Sequence, residues 1–360
     1  MGRQTQLGAA IPAAMTAVVK TQAGPGLSLE TVPVPDPGPG DVLVRIRRAA
    51  VCATDRHIEE WTSWAQARMH PPIIIGHECS GVIVAVGGGV PSDRIGERVA
   101  VESHFGCNDC SQCRAGRAHL CERARLFGAT VPGCFAQYAV VQSDSAIALP
   151  DSISDVQGSV LEPMGAAVHG VDVAKVRGNE VLVVGCGPIG LFAIAAARAF
   201  GANRITAVDL YDAKLERARL MGADEVINDG GDGSGGNGVG DGAETFGVFD
   251  VAINCCDDNQ AVRKAIRSLR KGGRIVSVGL PQGVFSLDLS EEILYREITL
   301  AGTSGRLIPR TWDQCLGLLS DGLDITPALG NTHTLEHIDR AFADMRAGVP
   351  GKPLLKIEAD

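Results

Sequence analysis

Short apolar runs separated by turn residues dominate the first 150 or so residues of the chain. Val42, Val44 and Ile46 recur at every second position, a spacing typical of a half-buried strand. Further apolar runs of this kind follow at 73–75, 82–86 and 99–101. The pattern predicts an all-β, barrel-like domain whose first strand begins near Thr16.

From about residue 165 apolar strands alternate with helical stretches. The expected strands are 181–184, 205–208, 225–227, 248–253, 274–278 and 298–301. The expected helices between them are 189–200, 214–221 and 260–269. Gly201 is expected to end the first of these helices, and Asp212 to cap the second. Six strands joined by crossovers predict a parallel, doubly wound sheet.

Three segments fall outside this alternation. Residues 1–14 are expected to be a flexible extension. Residues 229–242 read DGGDGSGGNGVGDG, and we interpret them as a flexible surface loop in preference to a functional glycine cradle. Helices expected near 312–320 and 335–347 belong to a last segment that should return to pack on the first domain.

Composition and charge narrow the class of protein. The 360-residue chain has a net charge of -9 and no basic run, which disfavours nucleic acid as a partner. No apolar stretch approaches the roughly 20 residues that span a bilayer, and the N-terminus does not resemble a secretion signal. The eleven cysteines are an odd number, and four crowd into 107–121. We therefore expect a cytoplasmic protein with some cysteines on a metal.

A glycine turn predicts a dinucleotide site. Residues 185–190 read GCGPIG between an expected strand and an expected helix, and Asp209 ends the next strand. Such glycines let backbone amides approach a pyrophosphate, while a carboxylate at this spacing binds the ribose hydroxyls and repels a 2′-phosphate. NAD is therefore favoured over NADP, although Lys214 slightly weakens that preference. The residues assigned to this site are Gly185, Gly187, Pro188, Ile189, Gly190, Asp209 and Lys214.

Cysteine spacing predicts a closed zinc site. The four cysteines are separated by two, two and seven residues, and four thiolates leave no open coordination position, so this zinc would be structural. Its expected ligands are Cys107, Cys110, Cys113 and Cys121. The other cysteines outside the sites are expected to be small buried hydrophobes, namely Cys79, Cys134, Cys186, Cys255, Cys256 and Cys315.

A catalytic zinc needs three protein ligands and one exchangeable position. Cys52, His77 and an acidic residue can supply that set, and the acidic candidates are Glu78 and Glu162. Each residue taken alone also has an ordinary structural interpretation. Trp61 and Trp64 can equally line a substrate pocket or pack in a hydrophobic core.

Several motifs together resemble the zinc-dependent medium-chain alcohol dehydrogenases. The residues that carry the resemblance are Gly76-His77-Glu78, Gly81, Gly87, Val90, Cys52-Ala53-Thr54-Asp55, the four-cysteine loop and the glycine turn. The Glu162-Pro163 pair resembles the form of this motif in the polyol, glucose and threonine dehydrogenase branch of the family. Within it the chain most resembles the L-threonine 3-dehydrogenases, through His57-Ile58, Trp61, Trp64, residues 132–136 and residues 165–169.

The resemblance implies a GroES-like catalytic domain from 15–164 and 305–360, and a Rossmann NAD-binding domain from 165–304. It also implies that Gly279, Leu280 and Thr303 contact the cofactor and that His104 lies near the substrate. The chemistry implied is transfer of a hydride from a secondary alcohol to NAD. Thr54 would accept the alcohol proton and His57 would pass it outward, with Cys52 on the zinc.

The substrate stays open between three hypotheses. The first is an enzyme for L-threonine or a related amino alcohol, and the second is a polyol or 2,3-diol dehydrogenase on the same scaffold. The third is a zinc- and NAD-binding protein without catalysis, which should have lost Cys52, His77 or Glu162. The resemblance further implies a homo-oligomer, a tetramer or a dimer.

Overall fold

The computed structural model describes residues 11–230, 245–281 and 283–357. The chain divides into two compact units, one from Met1–Glu162 with Gly330–Asp360 and the other from Pro163–Leu329. Most of the extension expected at 1–14 and of the glycine-rich loop expected at 229–242 lies outside the described residues. Among the residues that are described, no helix combines the length and apolar character needed to cross a membrane.

The strands of the described residues are numbered in chain order. They are β1 (Ala14–Lys20), β2 (Ser28–Pro33), β3 (Asp41–Ala50), β4 (Ile73–Ile74), β5 (Glu78–Val86), β6 (Arg98–Val101), β7 (His104–Phe105), β8 (Arg125–Leu126), β9 (Tyr138–Gln142), β10 (Ala146–Ala148), β11 (Glu180–Val184), β12 (Arg204–Asp209), β13 (Glu225–Asn228), β14 (Phe249–Asn254), β15 (Leu269–Ser277), β16 (Thr299–Gly302), β17 (Leu329–Thr334) and β18 (Lys352–Lys356).

The α-helices of the same residues are numbered likewise. They are α1 (Ala53–Glu60), α2 (Ser63–Gln66), α3 (Ser111–Arg114), α4 (Asp155–Ser159), α5 (Leu161–Ala174), α6 (Pro188–Ala199), α7 (Asp212–Leu220), α8 (Asn259–Arg267), α9 (Arg310–Ser320) and α10 (Ile338–Arg346).

The first unit is built around a sheet of seven strands. Its order is β10-β6-β5-β3-β18-β17, and β9 also pairs with β3; a second sheet has the order β2-β1-β4. Strand β3 is central, and Val42, Val44 and Ile46 are fully buried, but so is Leu43. The expected half-buried strand is therefore buried on both faces at residues 42–44, and it lies inside the sheet, where it pairs with β5, β9 and β18.

The second unit contains a six-stranded sheet of order β13-β12-β11-β14-β15-β16. All of its neighbouring strands are parallel, as the alternating pattern predicts. Helix α6 is buried along most of its length because alanine and leucine fill it, and Gly201 follows its end in the left-handed conformation (φ 87°). The prediction of a doubly wound α/β domain beside a β domain is confirmed.

Two details of this unit differ from what the sequence suggests. Asp212 does not cap α7 but is its first residue, and its carboxylate accepts a hydrogen bond from the Asn228 amide at 2.6 Å. Residues 305–329 belong to the second unit and not to the catalytic domain. One reason is the Arg217 guanidinium on α7, which donates to the carbonyls of Pro327 and Leu329 at 2.8 and 2.7 Å.

Candidate active site

Helix α1 begins at a cysteine that a carboxylate holds in place. Cys52 precedes the helix in an extended conformation, and its backbone N–H donates to Asp55 Oδ2 at 2.8 Å. The Cys52 thiol lies 3.7 Å from Thr54 Oγ1. Two residues with expected chemical roles therefore share the first turn of α1, and the Cys-x-x-Asp spacing fixes the turn.

The same carboxylate faces a histidine from the segment before β5. Asp55 is fully buried, and its Oδ1 lies 3.4 Å from His77 Nδ1. Burial alone would lower the pKa of His77, but Asp55 and Cys52 raise it well above the usual value. Burial would raise the pKa of Cys52, but Lys352 and His77 bring it down to about 6. The pair thus favours a thiolate beside a protonated imidazole.

Glu78 completes a three-residue cluster. Ligand atoms of Cys52, His77 and Glu78 all lie within 4.8 Å of one another. Glu78 is fully buried; its Oε1 accepts a hydrogen bond from Lys352 Nζ at 2.6 Å, while its Oε2 has no hydrogen-bond partner. Thiolate, imidazole and carboxylate are the donors zinc prefers, and an unpartnered buried oxygen is costly without a ligand. The residues present therefore fit a zinc ion.

Glu162 lies at the edge of this cluster. Its Oε1 accepts a hydrogen bond from Ser103 Oγ at 2.6 Å, and its charge helps raise the pKa of Glu78, after burial and Cys52. Ser103 Oγ also lies 3.1 Å from His104 Nδ1. The structure thereby links the expected substrate-side histidine to the second candidate carboxylate, and the choice of third zinc ligand stays a prediction.

His57 is on the opposite end of α1 from Cys52. Its Nδ1 lies 3.4 Å from Thr62 Oγ1, and its ring lies 6.5 Å from the ring of Trp64. Trp61 and Trp64 are partly buried against the core of the first unit. Both tryptophans therefore contribute to that core, one of the two roles considered for them.

The four-cysteine loop has the dimensions of a closed site. Sγ–Sγ distances are 4.0 Å between Cys107 and Cys113 and 3.9 Å between Cys110 and Cys121. A tetrahedral zinc with Zn–S bonds of about 2.3 Å separates its sulfurs by roughly 3.8 Å. Backbone amides support the thiolates, since the pKa of Cys107 is lowered to about 6 mainly by its hydrogen bond from the Asp109 amide. The cluster fits a structural zinc.

Two glycines of the turn in the second unit, Gly185 and Gly190, have no space for a side chain. Gly185 has φ 93°, and a Cβ on Gly190 would lie 1.8 Å from the Gly185 carbonyl oxygen. Gly187 precedes α6, and a Cβ there would meet no atom within 4 Å, which leaves the side of the turn open. Pro188 and Ile189 begin α6; Pro188 has no backbone N–H, so the free N–H groups available to an anion in this first turn begin with that of Ile189.

Asp209 is fixed at the end of β12. Its Oδ2 accepts a hydrogen bond from the Cys186 N–H and its Oδ1 from the Leu210 N–H, both at 2.8 Å. Lys214 Nζ lies 3.8 Å from Oδ1. The carboxylate is therefore tied to the glycine turn itself, which fixes its orientation beside the expected nucleotide site.

Three further predicted cofactor residues follow the ends of the next strands. A Cβ on Gly279 would lie 2.3 Å from the Cys256 carbonyl oxygen. Leu280 is 72% exposed, and Thr303 Oγ1 is buried without a hydrogen-bond partner.

The expectation of burial is wrong for Cys255 and Cys256, which are half-buried because they lie beyond β14, beside the glycine turn.

Sequence reasoning missed four residues of the first-unit site. They are Asp55 as a partner of His77, Lys352 as the counter-ion of Glu78, and Glu102 and Ser103 as partners of His104. The Cys-x-x-Asp spacing contains a signal for Asp55. Lys352 has none, because it is 274 positions from Glu78.

Comparison with known proteins identifies the family. Residues 38–151 match the model of the alcohol dehydrogenase GroES-like domain, and residues 188–321 match that of the zinc-binding dehydrogenases. The chain is 35% identical to the L-threonine 3-dehydrogenase of Legionella pneumophila, over 95% of this chain and 99% of that one. The chain belongs to the zinc-binding alcohol dehydrogenase family. The predicted family and oxidoreductase activity are confirmed.

Solved structures agree with this membership. A zinc-binding dehydrogenase from Sinorhizobium meliloti 1021, bound to NADP, has a TM-score of 0.85 and 29% identity over 96% of this chain and all of that one. The 2R,3R-butanediol dehydrogenase of Bacillus subtilis has a TM-score of 0.82 and 26% identity, with coverage of 96% and 100%. The prediction of zinc and a nicotinamide dinucleotide as cofactors is confirmed at the level of the family.

Proposed function

We propose that this zinc-binding dehydrogenase oxidises the secondary alcohol of L-threonine or a closely related amino alcohol, with NAD as hydride acceptor. The observation that carries the chemistry is the cluster of Cys52, His77 and Glu78, whose ligand atoms lie within 4.8 Å of one another. The substrate class rests on the 35% identity to an L-threonine 3-dehydrogenase along nearly the whole chain.

The proposed metal ligands are Cys52, His77 and one carboxylate, Glu78 or Glu162. When bound, zinc supplies Lewis acidity that lowers the pKa of an alcohol hydroxyl toward neutrality. Asp55 accepts the backbone N–H of Cys52 through Oδ2 and places Oδ1 3.4 Å from His77 Nδ1, so one buried carboxylate faces two proposed ligands.

The proton leaving the alcohol needs an acceptor in the first turn of α1. We assign that role to Thr54 Oγ1, which lies 3.7 Å from the Cys52 thiol. His57, three residues further along the same helix, then carries the proton outward, with Thr62 Oγ1 3.4 Å from its Nδ1. His104, joined to Glu162 through Ser103, is proposed to contact the substrate.

Asp209 is the proposed determinant of NAD preference, because its carboxylate beside the glycine turn would pair with ribose hydroxyls and repel a 2′-phosphate. The proposed cofactor site also includes Gly185, Gly187, Gly190, Gly279, Leu280, Thr303 and Lys214. The relative that holds NADP makes this preference worth testing directly.

The substrate is tested by initial rates of NAD reduction with L-threonine, other amino alcohols, sorbitol and 2,3-butanediol. The zinc-loaded protein should show its highest kcat/KM with L-threonine or a related amino alcohol. A higher value with butanediol would favour the second candidate, a 2,3-diol dehydrogenase, which the butanediol dehydrogenase fold match supports. Failure to oxidise any of these alcohols would count against both candidates.

A further inference from the structure

An irregularity in the parallel sheet creates a basic turn. Between β14 and β15, Phe249 is paired with Leu269 and Val251 with Arg274. One residue of β14, Asp250, therefore faces the four residues 270–273 of β15. Extra residues in one strand interrupt the ladder and change the direction of the side chains beside them.

The glycines of this turn are needed by its geometry. Gly272 has φ 78°, in the left-handed region, and a Cβ on Gly273 would lie 2.8 Å from the Arg270 carbonyl oxygen. Larger residues would be strained at both positions. The sequence Arg-Lys-Gly-Gly thus places two cationic side chains on a backbone that the glycines make possible.

The turn lines a cavity of about 370 Å³ in the second unit that is open to solvent, with Lys175, Arg270 and Lys271 exposed. Residues after helix α5 form the other side, including Lys175, which adopts the left-handed conformation at φ 55°. Four cationic side chains line the cavity, and they are Lys175, Arg270, Lys271 and Arg274. The volume lies within the range of small-ligand sites, and the lining selects for a charged ligand.

Asp250 is the one acidic residue in the lining, and its carboxylate is already engaged. Its Oδ1 pairs with Arg270 Nη1 at 2.5 Å, and its Oδ2 accepts the Glu180 N–H at 2.9 Å. Burial would raise the pKa of Asp250, but these two donors lower it, so the carboxylate stays charged and bound to them. Arg270 Nη2 also lies 3.4 Å from the Glu180 carboxylate, so both of these acids are paired with Arg270 and neither is paired with a lysine.

The remaining cations have little internal compensation. Arg274 Nη1 reaches the Val173 carbonyl in the last turn of α5, where a cation is favourable. Lys175 and Lys271 have no acidic partner within the part of the chain that the structure describes. In a protein of net charge -9, such a concentration of positive charge attracts anions.

The cavity is separate from the expected nucleotide site. It lies at the amino ends of the parallel strands, beside Asn179 and Asp250, whereas the glycine turn follows the carboxyl end of β11 at Val184. The five residues of β11 separate the two edges by roughly 16 Å. An anion in the cavity would therefore not occupy the place of the cofactor phosphates.

We propose that this cavity binds a small phosphate-bearing anion, held by Lys175, Lys271 and Arg274, at a site distinct from the cofactor site. Lysine ammonium groups act as point charges toward phosphate oxygens, and the Arg270–Asp250 pair fixes the turn that presents them.

The test is titration calorimetry of the zinc-loaded protein, saturated with NADH, using inorganic pyrophosphate as the probe. Saturable binding to the wild-type protein is expected, and Lys271→Glu should weaken it at least tenfold. Arg340→Glu, an exposed residue of α10 in the other unit, makes the same change in net charge and should leave the affinity unchanged.

Three results would overturn the proposal. They are no saturable binding, equal weakening by both charge reversals, and competition between pyrophosphate and NADH. Citrate is the control for ligand chemistry, since binding as tight as that of pyrophosphate would refute selection for phosphate. Each variant's melting temperature, compared with wild type, shows whether it is folded, and Lys271→Ala, which should weaken binding more mildly, replaces Lys271→Glu if that protein does not fold.

Discussion

Asp55 shows how much of the site depends on a single buried carboxylate. It accepts the backbone N–H of Cys52 and faces the ring of His77, and it is fully buried. Buried charges persist in proteins when they are paired and hydrogen-bonded. Lys352 does the same for Glu78 from a distant strand. The positions of the proposed zinc ligands are thus set by residues that are not themselves ligands.

Cys52→Ser should abolish turnover while leaving NADH binding nearly unchanged, because the cluster and the glycine turn lie in different units. Zinc content should fall from about two to about one per chain. Thr54→Ala is the matched comparison: it should keep both zinc ions and lose roughly 10²–10⁴-fold in rate, the usual contribution of a positioned proton acceptor. Steady-state rates, metal analysis and NADH fluorescence check both variants. Normal activity of Cys52→Ser would refute the zinc site.

Asp209→Gly combined with Leu210→Arg should move the ratio of kcat/KM for NAD over NADP toward NADP. The change removes a negative charge from the end of β12 and adds a positive one. It also removes the hydrogen bond from the Cys186 N–H, but that loss affects both cofactors and cancels in the ratio. Leu210→Arg alone is the control. A wild-type enzyme that already prefers NADP would contradict the role assigned to Asp209.

Strands and helices differ in how well the sequence predicts them. The central strands of the second unit stand out because β11, β12 and β14 are largely buried apolar runs, each followed by a helix. Strands β7 and β8 have two residues each, too short to show any periodicity. The Cys-x-x-Cys spacing predicts a metal loop from local pattern alone. Pairing of β18 with β3 depends on contacts across most of the chain, so no local pattern reveals Lys352.

Cys107→Ser should lower thermal stability rather than catalysis. Its thiol accepts the Cys110 N–H at 3.3 Å and would be one of four zinc ligands, and metal binding at a closed site is folding free energy. A loss of about 3 kcal/mol would lower Tm by roughly 6–12 °C in a domain of this size. Arg123→Ala removes a donor to the same sulfur and an exposed ion pair with Asp109 but keeps all four thiols, so its effect should be milder. Calorimetry and zinc analysis decide; an unchanged Tm would count against a structural zinc.

Asp155 joins α4 to two strands, and its loss should make stability less dependent on pH. Its carboxylate bonds to Arg47 at 3.1 Å and Arg98 at 2.8 Å; burial would raise its pKa, but the two guanidinium groups lower it. Stabilisation by a depressed pKa is present above the unfolded value of about 3.9 and is lost as pH falls through the folded value.

Asp155→Asn should therefore cost on the order of 1–2 kcal/mol at pH 7, and the difference from wild type should vanish at low pH. Urea unfolding at several pH values measures it. Asp151→Asn, an exposed neighbour, serves as the control and should have little effect. A difference that stays constant down to pH 3 would exclude the ionised carboxylate as its cause.

Among the residues that the structure describes, one edge of the six-stranded sheet carries exposed apolar side chains. Strand β16 ends the six-stranded sheet, Leu300 on it is 51% exposed, and Leu294 and Tyr295 just before it are 60% and 70% exposed. Exposed edges with apolar neighbours favour association with another chain. The expectation of a homo-oligomer can therefore be tested at this edge.

Leu300→Lys should shift the protein toward smaller species in sedimentation velocity, because a charge on an edge strand opposes pairing. Leu220→Lys changes another exposed leucine of the same unit, on α7, and should leave the sedimentation coefficient unchanged. Two results would refute this interface. One is a wild-type protein that sediments as a monomer, and the other is a Leu300→Lys variant that sediments as the same oligomer as an oligomeric wild type.

The ion pair between Glu78 and Lys352 can form only late in the synthesis of each chain, because the two residues are far apart in sequence. The carboxylate leaves the ribosome 274 residues before its counter-ion. At about 5–20 residues per second, that interval is roughly 14–55 s. The second unit, made from one continuous stretch, has emerged by then. In the nascent first unit, Glu78 must therefore stay protonated, hydrated or bound to a metal until β18 has been synthesised.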